Sequence, residues 1–175
     1  MANPMSGERH MTEQSEPRWL SPQEQQAWIG ATALMWLLPG PLDAQLQRDS
    51  GLNLFDYFVL ASLSMADGRQ RRMSELAIQS NASPSRLSNV VGRLESQGWI
   101  ARRTDENDRR STVATLTEAG WDKVVAAAPG HVAAVRHVLI DGLTPTQLAA
   151  LREVGGKVAR EVLGNRCAQE LLPDS

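Results

Sequence analysis

The chain has 175 residues, 42% of them hydrophobic and 22% charged, with a formal net charge of −2. It is long enough to bury the core of one domain, and it holds no uninterrupted run of about 18 apolar residues, so no transmembrane helix is expected. A single cysteine excludes an internal disulfide framework, and the N-terminal stretch lacks the apolar segment of a secretory signal, so a cytoplasmic protein is expected.

The first 19 residues are polar and read as a tail. Ser21-Pro22-Gln23-Glu24 opens a helix. Ser21 is a good N-cap, Pro22 fits the first helical position, and Glu24 completes a capping box. This helix is predicted to run to about Leu38, where Pro39-Gly40-Pro41 must kink or break it. Leu42 and Leu46 suggest that it resumes and ends before Gly51. Asn53 is placed to cap the next helix, whose buried face is read as Phe55, Phe58, Val59, Ala61 and Leu63. After a turn at Asp67-Gly68, residues 69–73 read as a short edge strand, and Ser74 as the cap of a brief helix.

Ser83-Pro84 then starts a second short helix, which Gly98 stops. Its apolar residues Leu87, Val90, Val91 and Leu94 form an i, i+3, i+4, i+7 stripe. Residues 99–103 and 111–116 read as two strands joined by a charged connector. Thr117 caps a long helix that Pro129-Gly130 is expected to kink and Gly142 to end. Thr144 and Gln147 form another capping box, opening a last helix with Leu148, Leu151, Val154, Val158 and Val162 at spacings of three and four.

Charge is unevenly placed. Residues 69–110 carry nine arginines against five carboxylates, a local +4, which leaves −6 for the remainder. An acidic body with an arginine-rich middle points one face at phosphate. On a wheel of about 100° per residue, Ser85, Asn89, Gly92 and Ser96 lie opposite the apolar stripe of the 83–97 helix, flanked by Arg86, Ser88 and Arg93. Small residues let a helix backbone approach a groove floor, and Asn, Arg and Ser pair with base edges. Contacts from the N-terminal half of such a helix favour Ser83, Ser85, Arg86, Ser88 and Asn89 as DNA-facing, with Arg93 set for a phosphate. The adjoining hairpin holds out Asp108, Arg109 and Arg110, a fit for a narrow minor groove whose potential attracts arginine. Asp108 is placed to pin an arginine side chain by a charge-assisted bond.

The motifs MSELA (73–77), SPSRLSNVVGRLESQGWIARR (83–103) and DRRSTVATLTEAG (108–120) resemble the MarR family of winged helix-turn-helix regulators. The resemblance spans roughly residues 22–165. It implies a mainly α fold with a small β wing, and N- and C-terminal helices that interlock in a homodimer. The expected organisation is a tail (1–19), an N-terminal dimerisation helix (20–50), a DNA-binding lobe (51–118), C-terminal dimerisation helices (119–170) and a short tail (171–175). It further implies that Arg110 enters the minor groove with Asp108 orienting it, that the partner is double-stranded DNA with a pseudo-palindromic operator, and that repression is the common outcome. Asn89 stands where several members carry Arg or Lys. Small aromatic effectors bind members of the family, and Trp28, Trp36, Tyr57 and Phe58 are the candidates for lining such a site.

No cofactor, membrane partner or enzymatic activity is expected. Phosphate-binding loops, GxSxG and paired His–carboxylate spacings are absent. His131 and His137 are six apart, about 240° around a helix, which does not suit a shared metal. Cys167, near the end of the last helix, is read as an incidental thiol. The alternative reading is a winged-helix module that binds protein instead of DNA.

Overall fold

The computed structural model describes residues 17–106, 108–165 and 168–169. Cys167 and His10 lie outside them. The chain divides into two compact units, residues 1–35 and 36–175. In the first, α1 (Pro22–Leu37) begins as expected. The Ser21 amide donates to Glu24 Oε2 at 2.8 Å, and the Glu24 amide donates to Ser21 Oγ at 3.3 Å.

In the second unit the helix breaks at Leu38. Pro39 then serves as the first residue of α2 (Pro39–Ser50). Gly51 ends α2 in the left-handed region, at φ 63°, with its N–H on the Gln47 and Leu46 carbonyls. That conformation strains a residue with a Cβ, which is why glycine stops the helix here. Asn53 caps α3 (Leu54–Ser64) by accepting the Asp56 amide at 2.7 Å.

The buried face of α3 is rotated from the expected one. Val59, Leu60 and Leu63 are fully buried, whereas Phe55, Phe58 and Ala61 are only half-buried. The core stripe is Asp56, Val59, Leu60 and Leu63, and it was obscured because a carboxylate occupies one of its positions. Asp56 is 6% exposed. Its burial is offset by Asn53 Nδ2 at 3.0 Å and by the Arg93 guanidinium at 2.5 Å. A buried carboxyl of this kind needs hydrogen-bonding partners to replace the water it has lost.

A short 3-10 turn at Asp67–Arg69 leads into β1 (Gln70–Arg72), then α4 (Met73–Gln79), α5 (Pro84–Ser96), β2 (Ile100–Thr104) and β3 (Thr112–Leu116). The N-cap of α4 is Arg72, without a side-chain cap bond, so Ser74 lies in the first turn and is not the cap. The three strands form an antiparallel sheet in the order β1-β3-β2, with Arg71 opposite Ala114 and Arg102 opposite Ala114 on the other side. One core holds Leu46, Leu52, Val59, Leu60, Leu63, Leu76, Leu87, Val91, Leu94 and Ile100 beneath α5 and the sheet.

Thr117 caps α6 (Glu118–Val138) through the Gly120 amide at 3.0 Å. The helix runs unbroken through Pro129, whose neighbour Gly130 lets α2 come close: a Cβ there would stand 3.0 Å from Gln45 Nε2. A 3-10 turn at Ile140–Gly142 follows, then α7 (Pro145–Leu163) with the full Thr144–Gln147 capping box. Together α6 and this turn, Glu118–Gly142, are long and apolar enough to cross a membrane, which corrects the expectation of no such segment. Alanines and valines separated by single charges reach that hydropathy without forming an apolar run. Here Gly120, Val124 and Ala127 of α6 are buried, and Val124 and Ala127 join the core.

Candidate nucleic-acid interface

The helix α5 is set by local chemistry. Ser83 Oγ accepts the Arg86 amide at 3.3 Å, Pro84 takes the first position, and Gly98 follows at φ 76° with its amide on the Glu95 carbonyl. Leu87, Val90, Val91 and Leu94 are buried, as their spacing requires. The opposite side presents Ser85, Ser88 and Asn89, all exposed, with Gly92 half-buried. Ser85 Oγ lies 3.2 Å from Ser83 Oγ, so these hydroxyls share one hydrogen bond.

Gly92 is not required by packing. A Cβ added there meets only Arg102 Nη2, at 3.9 Å. Gly92→Ala is therefore expected to raise the stability of the protein by about 1 kcal/mol through helix propensity. It should at the same time weaken duplex binding several-fold if α5 lies against a groove floor. Thermal melts and titrations of the same preparation check both signs, and unchanged affinity would show that the helix backbone stays clear of the DNA.

The wing is the β2–β3 hairpin. The Asp105 amide bonds the Ser111 carbonyl at 2.9 Å, and the Ser111 amide bonds the Asp108 carbonyl at 2.9 Å. Asp105, 8% exposed, accepts Arg72 Nε at 2.8 Å and ties the loop to β1. Asp108 does its holding through the main chain. Its Oδ1 accepts the Arg110 backbone amide at 3.0 Å and its Oδ2 accepts the Ser111 hydroxyl at 2.6 Å. Those two bonds, the serine first, keep its carboxyl below the usual carboxylate range. The expected bond from Asp108 to an arginine side chain is thus replaced by one to the backbone of Arg110. Such a turn shapes the loop tip and leaves the guanidinium disengaged.

Pairing sorts the nine arginines. Arg69 bonds Glu118 at 3.0 Å and lies 4.0 Å from the Trp121 ring centroid. Arg72 pairs with Asp105, Arg93 with Asp56, Arg102 with Glu95, and Arg103 with Glu106. Arg71 also has partners, among them the Ser62 carbonyl at 3.5 Å. Arg86 lies over the Phe55 ring, 4.4 Å from its centroid. Among the described residues, Arg109 and Arg110 enter no ion pair and are exposed. The expected phosphate contact of Arg93 would have to be made by a side chain that already compensates buried Asp56. Arg86, expected as a base reader, is turned back onto α3.

Helix and wing meet in one recess of about 310 Å³, lined in part by Ser74, Ser88, Arg102, Arg110, Ser111 and Thr112. Arg102 was not singled out in the sequence. Its signal was the spacing to Glu95, seven residues earlier, which spans the helix end and the first strand.

The four aromatic candidates for an effector site have different surroundings. Trp28 and Trp36 stand on α1, 57% and 78% exposed. The Tyr57 ring packs against His131, with centroids 4.5 Å apart. Burial raises the tyrosine pKa and lowers that of the histidine. Phe58 alone of the four lines a recess of about 850 Å³, with Pro39, Phe55, Gln79, Arg86, Val90 and Arg93 among its walls. No group of three or more potential metal ligands occurs among the described residues.

A family model described as MarR family matches residues 52–112. The crystal structure of Sco3205, a MarR family transcriptional regulator from Streptomyces coelicolor in complex with DNA, is 42% identical with a TM-score of 0.77, covering 83% of this chain and 91% of that one. AbsC, a MarR family transcriptional regulator from the same organism, is 38% identical with a TM-score of 0.77, covering 85% of this chain and 100% of that one. The transcriptional repressor MprA of Escherichia coli (strain K12) is 26% identical over 114 residues, 65% of this chain, and the match spans 64% of that relative's length.

Proposed function

The chain belongs to the MarR family of winged helix-turn-helix transcriptional regulators, and from that premise we propose that it is a repressor that binds a pseudo-palindromic operator as a homodimer. The observation that carries this reading is the pair Arg109 and Arg110, which among the described residues enter no ion pair, at the wing tip beside the small polar face of α5. On duplex DNA, α5 lies in the major groove, where Asn89, Ser85 and Ser88 meet base edges, and Arg110 reaches into the adjacent minor groove. Two-fold symmetry places the second copy of α5 about one DNA turn, ~34 Å, away.

Exposed apolar side chains support the homodimer. Val125, Val132 and Val138 on α6, and Val154, Val158 and Val162 on α7, are between 37% and 62% exposed. On α1, Trp28, Ile29, Trp36 and Leu37 are 57% to 78% exposed. Exposed apolar side chains in this number on α6 and α7, and separately on α1, are what an interaction site needs. The recess beside Phe58 supports release by a small aromatic effector, because it is of ligand size and its wall includes Arg86, Val90 and Arg93 of α5. A molecule seated there touches the reading helix directly.

The test is duplex affinity against salt. Binding through arginine releases counterions, so the logarithm of the affinity should fall linearly with the logarithm of salt, with a slope of about −0.9 for each phosphate neutralised. A flat response, or no duplex binding at about 50 mM salt, would favour a protein-binding winged helix instead. Selection of duplexes from a random pool then gives the operator, and a screen for release gives the effector.

A further inference from the structure

We propose that Arg102, at the base of the wing, is a DNA-phosphate contact in its own right, and that Glu95 on the reading helix is the residue that positions it. This inference rests on the DNA-binding reading above and goes beyond it by adding a contact between helix and wing. Three bonds join the pair. Glu95 Oε1 accepts the Arg102 backbone amide at 3.0 Å, and Oε2 accepts Nε at 2.8 Å and Nη2 at 2.5 Å. The last two occupy one edge of the guanidinium fork, and among the described residues its other donors have no partner.

The location gives those donors a target. Arg102 Nη2 lies 3.9 Å from where a Cβ on Gly92 would be, so the guanidinium sits over the one gap in the outward row of α5. The side chain is 35% exposed, enough to be reached and too little to move freely. The same recess is lined by the hydroxyl-bearing residues Ser74, Ser88, Ser111 and Thr112, and by Arg110. Two arginines and several hydroxyls around a space of about 310 Å³ match the oxygens of one backbone phosphate. A duplex lying across α5 and the wing must pass its backbone between them, which is where this recess opens.

Glu95 has a second consequence. A long arginine chain ordinarily loses rotamer freedom when it binds. Here the carboxylate has already ordered it, so less is lost when DNA arrives. The helix and the wing are thereby clamped to each other at the contact, and a phosphate between them reports on their spacing.

The test uses the full chain and a selected operator duplex. Salt titrations compare the parent with R102A, R102Q and E95Q. R102A and R102Q are expected to lower the magnitude of the salt slope by about 0.9 per protomer, with weaker binding across all sequences alike. A scan of the duplex with single methylphosphonates adds a readout that a structural role does not move. One phosphate per half-site should weaken the parent about tenfold when neutralised and leave R102A unaffected. E95Q should stay sensitive at that same phosphate, with a reduced penalty. If R102A fails to fold, R102Q keeps a polar side chain with part of the stem and carries both measurements. A variant slope equal to that of the parent, or a scan in which R102A and R102Q lose sensitivity at no position, overturns the inference and leaves operator binding standing. A parent that binds no duplex overturns the DNA-binding reading itself, and the two failures are therefore distinct.

Discussion

Replacing Arg110 by alanine is expected to cost about 1–3 kcal/mol of operator affinity per half-site, which over two half-sites is at least roughly a 30-fold loss. The size follows from the state of the side chain before binding. Asp108 spends its carboxylate on the Arg110 amide and the Ser111 hydroxyl, and among the described residues the guanidinium enters no ion pair that it would have to give up. A narrow minor groove then supplies its full attraction. Folding and self-association should not change, because Arg110 is exposed and contributes nothing to the core. Affinity for the selected duplex, measured beside sedimentation of the free protein, checks both halves. Parent-like binding by R110A would remove the wing from the groove.

The second large effect is on stability. Gly120→Ala is expected to destabilise the protein by about 3 kcal/mol or more, at the upper end of what overpacking costs. A Cβ at this position would stand 2.1 Å from the Trp99 carbonyl oxygen and 2.7 Å from Leu116 Cδ1. Neither can yield cheaply. The Trp99 carbonyl accepts the Thr117 amide at 3.0 Å, and the Thr117 hydroxyl donates to the Gly98 carbonyl at 2.7 Å. The first turn of α6 is thus bolted to the end of α5 through a contact with no room for a side chain. Lys123 extends it, with Nζ on the Ser50 carbonyl at 2.6 Å and 4.9 Å from the Trp99 ring centroid. Urea unfolding measures the loss. A midpoint within error of the parent would mean that this junction is looser than its distances state.

The same junction bears on function. The start of α6 meets the segment that follows α5 backbone to backbone at Trp99. An alanine that forces the two apart should also disturb duplex binding, while Gly92→Ala on the outer face should disturb binding without any loss of stability. The pair separates a glycine that packing requires from one that the groove requires.

Much of this was legible from residues close together in the chain. Ser83, Thr117 and Thr144 cap helices in the structure as their spacing predicts, and Gly51 and Gly98 end helices at positive φ. The stripe of Leu87, Val90, Val91 and Leu94 is buried. These features depend on partners within about four residues, so local chemistry decides them. The face of α3 was misread for a related reason. Asp56 looks like a surface residue until Arg93, 37 positions later, arrives to pair with it.

By itself, then, the sequence determined the helices, the wing, the family and the concentration of arginine between residues 69 and 110. Only the tertiary structure decided which of those arginines are tied to a carboxylate and which are not. Arg72 is taken by Asp105 at a separation of 33 residues, Arg69 by Glu118 at 49, and Arg102 is held by Glu95 across the end of α5. Arg109 and Arg110 are left disengaged at the tip. A charge count treats every arginine alike, but an ion pair depends on distance in space. The fold brings most of these side chains to a carboxylate, and it holds Asp108 on the Arg110 amide, so that among the described residues the last two pair with none.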